Sequence, residues 1–293
     1  ISSGQLEQLI EDNSKCSLPQ MLSTERPDKA ANHILSGRVV VIVNGSPYVL
    51  IMPCVFVDFL SSAEDPNLKF QYANLLKFVR LVAFFITLLL PGLYVAITNF
   101  HQEIIPTELL FAIVASRESI PFPIIVEILA MEISFELIRE ASLRVPSPIG
   151  TTIGIIGALI LGQAAVEASI VSPILIIIIA ITGITSFAIP DFYLSFHLRI
   201  VRFLYTIAGF LAGFLGIGIV LFGHLILLCS LKSFGVSYLA PYIPSTGKNN
   251  KSYFMPPFWN REKRPDFLNT KRPKKEERIS MKWKYQVGGK HGN

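Results

Sequence analysis

An otherwise apolar segment, residues 122–141, carries ionisable side chains that could bind ions or exchange protons. They are Glu127, Glu132, Glu136, Arg139 and Glu140. At about 100° per residue the last four fall within an arc of roughly 100°, whereas Glu127 lies on the opposite side. One charged face on an apolar helix indicates an amphipathic helix that either lies at a membrane interface or faces a water-filled pathway. Glu132, Glu136 and Arg139 are therefore the candidate polar-face residues.

The next segment, residues 149–165, is rich in small side chains. Gly150, Gly154 and Gly157 project with neighbouring alanines within roughly a 120° arc. Such stripes let membrane helices pack backbone against backbone. A second, mixed face carries the candidate pore-lining residues Gln163, Val166 and Glu167. The alternative is that Gln163 only forms a hydrogen bond between two helices.

Motifs that mark common catalytic sites are absent from the sequence. It has no GxSxG, Walker A, GxGxxG or HExxH pattern, and Cys16, Cys54 and Cys229 form no CxxC or Cys/His pair. His101 and Glu103 lack the further spaced ligands that a metal ion needs. We therefore expect no enzymatic activity, no metal site and no cofactor.

Apolar helices dominate the elements that must position these residues. The 293 residues are 51% hydrophobic and only 16% charged, against about a quarter charged in soluble proteins. Residues 78–98, 173–189 and 203–231 are long enough to be membrane spans, and with the two segments above they predict four to five membrane helices, one amphipathic. In the last span, Gly209 and Gly213 form a GxxxG packing surface or a point where the helix breaks.

Residues 1–76 have soluble character and predict the C-terminal part of a cytoplasmic α/β domain. Two β-branched runs joined by Asn44-Gly45 predict a β-hairpin. A hairpin alone is marginally stable, so we expect it to pair with a region upstream of this sequence or with a neighbouring subunit. The transmembrane domain is then predicted at 77–234 and a basic, flexible cytoplasmic tail at 235–293.

The tail is the basic part of a chain with a net charge of +5. From Lys248 onward it has thirteen Lys or Arg against four Asp or Glu. By the positive-inside rule it belongs in the cytoplasm. It follows the membrane domain and lacks a nucleic-acid-binding module, so we expect it to contact anionic lipid headgroups and not nucleic acid.

A dozen short blocks are spread along the chain in a fixed order. They are Thr24-Glu-Arg-Pro-Asp28, Gly37-Arg-Val39, Asn44-Gly-Ser-Pro47, Leu89-Leu-Pro91, Phe100-His-Gln-Glu103, Ile105-Pro-Thr107, Pro121-Phe-Pro123, Met131-Glu-Ile133, Gly162-Gln-Ala-Ala-Val-Glu-Ala168, Val171-Ser-Pro173, Ser233-Phe-Gly235 and Arg264-Pro-Asp-Phe-Leu-Asn269. In order and spacing these blocks resemble the A subunit of GerA-type spore germination receptors. The resemblance implies a multi-pass subunit of a nutrient receptor in the inner membrane of spores. It further implies B and C subunits as partners and a homo-oligomer that forms a nutrient-gated cation channel.

The resemblance places the block 162–168 on the segment that the small residues had marked. Val166 is the candidate constriction, because an apolar ring can gate ions by dewetting. Gln163 would be its polar neighbour, and a ring of Glu167 would favour cations. Two other hypotheses stay open at this point: a secondary transporter, and a structural membrane anchor for the soluble domain.

Overall fold

The computed structural model describes residues 2–145, 154, 157, 162–245, 253–257 and 264–272. These residues belong to two compact units, each assembled from segments that are distant in sequence. The first unit draws on residues 1–81, 190–194 and 224–293, and the second on 82–189 and 195–223. The division at residues 76 and 234 stays a prediction, because contacts within a chain do not report which segments lie in lipid.

A small antiparallel sheet organises the first unit. Its elements are α1 (Ser3–Ile10), β1 (Leu22–Thr24), α2 (Pro27–Leu35), β2 (Val39–Ile42), β3 (Val49–Met52) and α3 (Phe56–Phe59). The strand order is β1-β3-β2, with Val39 opposite Met52 and Leu22 opposite Ile51. The hairpin of β2 and β3 matches the prediction, and Gly45 supplies the positive φ of +81° that its loop requires. The expected source of its partner strand was wrong, since β1 of this same chain pairs with β3.

Residues after the last long helix also belong to the first unit. A two-stranded ribbon, β4 (Lys232–Ser233) and β5 (Val236–Ser237), follows that helix directly. The Ser233 hydroxyl donates to the carbonyl of Gln20 at 2.7 Å and accepts from the amide of Cys54 at 3.1 Å. These atoms are buried, so the ribbon is held by satisfied polar contacts to the N-terminal sheet region.

The second unit is helical. Its helices are α4 (Phe70–Phe100, from residue 82), α5 (Thr107–Arg117), α6 (Ile124–Arg144), α7 (Pro173–Phe187) and α8 (Phe192–Ser230, residues 195–223). An apolar core lies where α4, α6 and α7 meet, and Phe210 of α8 packs against it. It consists of Tyr94, Val95, Ile124, Ile128, Met131, Val171, Leu175 and Ile179.

Glycines decide how α4 and α8 meet. A Cβ on Gly209 would lie 2.5 Å from the carbonyl oxygen of Gly92, and one on Gly92 would lie 2.8 Å from that of Tyr205. Both distances are too short for any side chain, so the two backbones touch here. α8 then breaks at Ala212 and Gly213, where Gly213 has φ +59° and ψ −139°. The structure therefore has a close backbone contact at Gly209 and a break of the helix at Gly213.

The prediction of four to five membrane helices is wrong for the described residues. Among them, only α4, with 31 residues, and α8, with 39, are long and apolar enough to cross a bilayer. α7 has 15 residues, which is about 22 Å of helix against a hydrocarbon core of about 30 Å. α6 carries too many charges, and the small-residue segment 149–165 lies outside the described residues except for Gly154, Gly157 and residues 162–165. An apolar segment can be buried against other helices as well as in lipid. Counting apolar segments in the sequence therefore overestimates the number of membrane helices.

Candidate functional site

Helices α6 and α8 bring five charged side chains together inside the second unit. Glu132, Glu136 and Arg139 have the spacing i, i+4, i+7, which puts them on one face of α6, and Arg199 and Arg202 lie one turn apart on α8. These five residues are called the charge cluster below. Three arginines and two glutamates leave it with one excess positive charge.

Glu136 is the hub of the charge cluster. Its Oε2 lies 3.1 Å from Nη1 of Arg199, and its Oε1 lies 3.2 Å from Nη1 of Arg139 and 3.5 Å from Nη2 of Arg202. Arg139 also donates from Nη2 to the hydroxyl of Ser186 on α7 at 2.9 Å. One carboxylate therefore connects α6 with α8, and Arg139 extends the connection to α7.

Glu132 is the most deeply buried member. Its side chain is fully buried, and Oε1 lies 3.2 Å from Nε of Arg202, whose side chain is 2% exposed. Among the residues that the structure describes, neither oxygen of Glu132 accepts a hydrogen bond. The attraction to Arg202 offsets only part of the desolvation of Glu132. Loss of either partner would therefore leave a costly buried ion.

Aromatic rings cover the arginines of the charge cluster. The guanidinium carbon of Arg139 lies 4.6 Å from the centroid of the Phe187 ring and 5.1 Å from that of Phe135. The guanidinium carbon of Arg199 lies 5.0 Å from the centroid of the Phe196 ring. These cation–π contacts stabilise the guanidinium groups where water is excluded.

The predicted polar face of α6 is only partly exposed to solvent. Glu132 and Arg139 are buried against α8 and α7, which does not fit an interfacial helix, whereas the Glu140 side chain is 58% exposed. Glu127 was predicted to lie on the side of α6 opposite the other charged residues. Its buried carboxylate accepts from Nη2 of Arg117 at 3.0 Å and from the backbone amide of Ser172 at 3.3 Å, so it is compensated by a separate ion pair in the first turn of α6.

The structure places the candidate pore-lining residues in a short helical stretch before α7. Gln163 and Glu167 are exposed, and Val166 is half-buried. A Cβ on Gly157 would lie 3.3 Å from Cγ2 of Ile138, and one on Gly154 would lie 3.3 Å from Oγ of Ser142. These two glycines therefore lie beside α6. Gly150 lies outside the described residues, and the pore and packing roles stay predictions.

Sequence reasoning missed the α8 half of the charge cluster. Neither Arg199 nor Arg202 was among the predicted site residues. Their i, i+3 spacing at the start of a long apolar helix, set against the i, i+4 spacing of Glu132 and Glu136, was the available signal. Two apolar helices with opposite charges at helical spacing are candidates for buried ion pairing.

Comparison with known proteins confirms the resemblance. The family model described as Bacillus/Clostridium GerA spore germination protein matches residues 1–267. This chain belongs to the GerA family. The match includes both helices of the charge cluster and the candidate pore-lining segment.

Three individual relatives support the assignment of this chain to the GerA family. Spore germination protein KA of Bacillus subtilis (strain 168) is 46% identical over 270 residues, which is 92% of this chain and 50% of that protein. Spore germination protein GerLA of Bacillus cereus is 41% identical over 94% of this chain and 57% of its own length. A third relative, 42% identical over 90% of this chain and 52% of its own length, is named "Uncharacterized membrane protein YfkQ" of Bacillus subtilis (strain 168).

This GerA chain spans about half the length of the curated relatives that it matches. No solved structure matches it.

Proposed function

We propose that this chain is the membrane part of a subunit of a nutrient germinant receptor that triggers spore germination. The observation that carries the proposal is the GerA match over residues 1–267, together with relatives named as spore germination proteins. The receptor lies in the spore inner membrane, and the subunit acts there with B and C subunits. Its role is not enzymatic.

The apolar surface of α8 supports a membrane location. Only 22% of the most apolar stretch of α8 is buried, against 56% for α4. A core helix of a soluble protein is mostly buried, so α8 offers a surface that lipid or further membrane helices must cover. Leu211, Leu215, Ile219 and Phe222 are each at least 64% exposed on it.

Several copies of the subunit surround a cation pathway in this proposal. Gln163 and Glu167 have exposed side chains that are free to face a shared axis. A ring of Glu167 would attract cations at the mouth, and a ring of Val166 would close the pathway by dewetting. Nutrient binding opens the pathway by moving the helices that carry these rings.

The test replaces Val166→Ala in the full-length subunit within spores. A smaller apolar ring holds water more easily, so we expect release of monovalent cations and germination without nutrient, measured by flame photometry and by loss of refractility. Val126→Ala is the matched control, because it makes the same truncation at an exposed position of α6. Nutrient-dependent germination that is unchanged by Val166→Ala, at normal receptor abundance, would contradict the assignment. Solute accumulation in vesicles that contain only this subunit would instead favour a transporter.

A further inference from the structure

A cavity lies between the C-terminal end of α4 and helix α5, apart from the charge cluster. Its volume is about 400 Å³, which is in the range of small-ligand sites. The residues that line it and matter here are Thr98, Gln102, Leu110, Ile113, Arg117 and Glu118. All of them belong to the second unit, and the cavity opens to the surface.

Arg117 is held in position by one buried partner, Glu127. Its Nη2 donates to Oε1 of Glu127 at 3.0 Å, and the Glu127 side chain is fully buried. A guanidinium has five N–H donors, and within the described part of the chain Arg117 uses one of them. Its side chain is 23% exposed. The buried carboxylate therefore fixes an arginine that still has donors for an anionic ligand group.

Glu118 places the opposite charge beside this arginine. It is exposed, it lines the same cavity, and among the described residues it forms no ion pair. Because Glu127 already compensates Arg117, the free carboxylate of Glu118 makes the cavity net negative. A ligand that carries both an anionic group and an ammonium matches this pair, with the anion at Arg117 and the ammonium at Glu118.

Helix α5 and the end of α4 also expose apolar side chains. On α5, Leu109, Phe111 and Val114 are 50%, 72% and 56% exposed, and Val114 lines the cavity. Phe100, the last residue of α4, is 51% exposed. Since α4 is long and apolar enough to cross a bilayer, its end lies near the level of the headgroups. Exposed apolar groups at that level favour a ligand with acyl chains over a free zwitterion such as an amino acid.

We propose that this cavity binds the headgroup of an aminophospholipid, with the phosphate at Arg117 and the ammonium at Glu118. The acyl chains lie along the exposed apolar side chains of α5. The inference rests on the membrane location given under the proposed function, and it is independent of the cation pathway. Lipid bound here would hold α5 against the end of α4.

The test measures which lipids the full-length protein retains. The protein is reconstituted in nanodiscs that contain equal amounts of phosphatidylethanolamine and phosphatidylglycerol, extracted with detergent and analysed by native mass spectrometry. The two lipids share the phosphodiester, and only the first has an ammonium. We expect the protein to retain phosphatidylethanolamine preferentially. Glu118→Gln should reduce that preference about fivefold, as expected for one exposed charge-assisted hydrogen bond.

Control variants separate the site from general effects. Glu108→Gln removes another exposed charge from α5 and should leave the preference unchanged. Arg117→Lys keeps a cation for Glu127 and should lower retention of both lipids, because a lysine presents no planar pair of donors to a phosphate.

Three results would overturn the proposal. They are equal retention of the two lipids by the unmodified protein, an unchanged preference in Glu118→Gln, and displacement of the lipid by free leucine that itself stays bound. Recovery of the protein in the nanodisc fraction tests the membrane location, whereas cation release in the Val166→Ala spores tests the pathway. Failure of either proposal is therefore distinguishable from failure of the lipid site.

Discussion

Removing the charge of Glu136 tests whether the charge cluster holds α6 to α8. Glu136→Gln keeps the size of the side chain but leaves Arg139, Arg199 and Arg202 with only Glu132 as a counter-ion. The three arginine side chains are between 2% and 10% exposed. The excess positive charge of the cluster rises from one to two among arginine side chains that are largely buried.

The expected loss of stability follows from burial. Removing one partner of a buried ion pair costs about 3–5 kcal/mol, because the other ion stays buried without compensation. Glu136 itself is 25% exposed, so partial solvation places the expected cost near the lower end, at about 3 kcal/mol. The glutamine oxygen can still accept one hydrogen bond, but it cannot neutralise three guanidinium groups.

Glu140→Gln is the matched control for this substitution. Glu140 lies one turn further along α6 and pairs with Arg144, but the two side chains are 58% and 79% exposed. Exposed pairs of this spacing contribute about 0.3–0.5 kcal/mol. Unfolding by SDS in mixed micelles, followed by circular dichroism, gives the free energy of unfolding for both variants. Equal losses, within about 0.5 kcal/mol, would refute the assignment of Glu136 to a cluster of largely buried charges.

The double variant Glu136→Gln/Arg199→Met adds a second check. It removes one negative and one positive charge, so the excess charge returns to one. We expect it to be more stable than Glu136→Gln alone, since neighbouring charges are not additive. A further loss of stability in the double variant would mean that Arg199 stabilises the helices through contacts other than Glu136.

Two further predictions concern packing and pH. Gly209→Ala should destabilise the protein by about 1–3 kcal/mol through overpacking, because the new Cβ would lie 2.5 Å from the carbonyl oxygen of Gly92. Gly218→Ala is the control: a Cβ there has nothing within 4 Å, so this substitution should be neutral or stabilising. The same SDS titration compares the two variants, and equal effects on the free energy of unfolding would contradict the close approach of the α4 and α8 backbones. Burial and the charges of Glu11 and Asp191 raise the pKa of Glu7 from 4.5 to about 7. The folded state therefore binds more protons between these values, and the free energy of unfolding should fall as pH rises from about 4.5 to about 7. Glu7→Gln should flatten that dependence in unfolding measured across this range, and an identical slope in both proteins would contradict the burial of Glu7.

Local patterns predicted those features whose partners are close in sequence. The Asn44-Gly45 turn and its β-branched flanks predicted the β2–β3 hairpin, because turn geometry and strand pairing are decided within a few residues. The i, i+4, i+7 spacing correctly put Glu132, Glu136 and Arg139 on one face of a helix. By contrast, helix α5 was not predicted, because polar residues interrupt the sequence between α4 and α6. Most of the apolar side chains of α5 are exposed.

Partners that are distant in sequence were not predictable in the same way. Periodicity shows that a helix has a polar face, but it does not show whether water or another helix covers that face. Arg199 lies 63 residues from Glu136, and nothing local to either residue specifies the other. The same limitation applies to the number of membrane helices, since an apolar face is equally suited to lipid and to a neighbouring helix.

The sequence by itself determined the GerA family, the apolar helical character of the chain and the positions of its turns and small residues. Composition, short motifs and helical spacing are properties of neighbouring residues, so no fold is needed to observe them. Only the tertiary structure decided that Glu132 of α6 is buried against Arg202 of α8, that Gly209 touches Gly92 and that α8 breaks at Gly213. Each of these depends on which surfaces meet, and the burial of two faces against each other is what converts a pattern of charges into an ion-paired cluster.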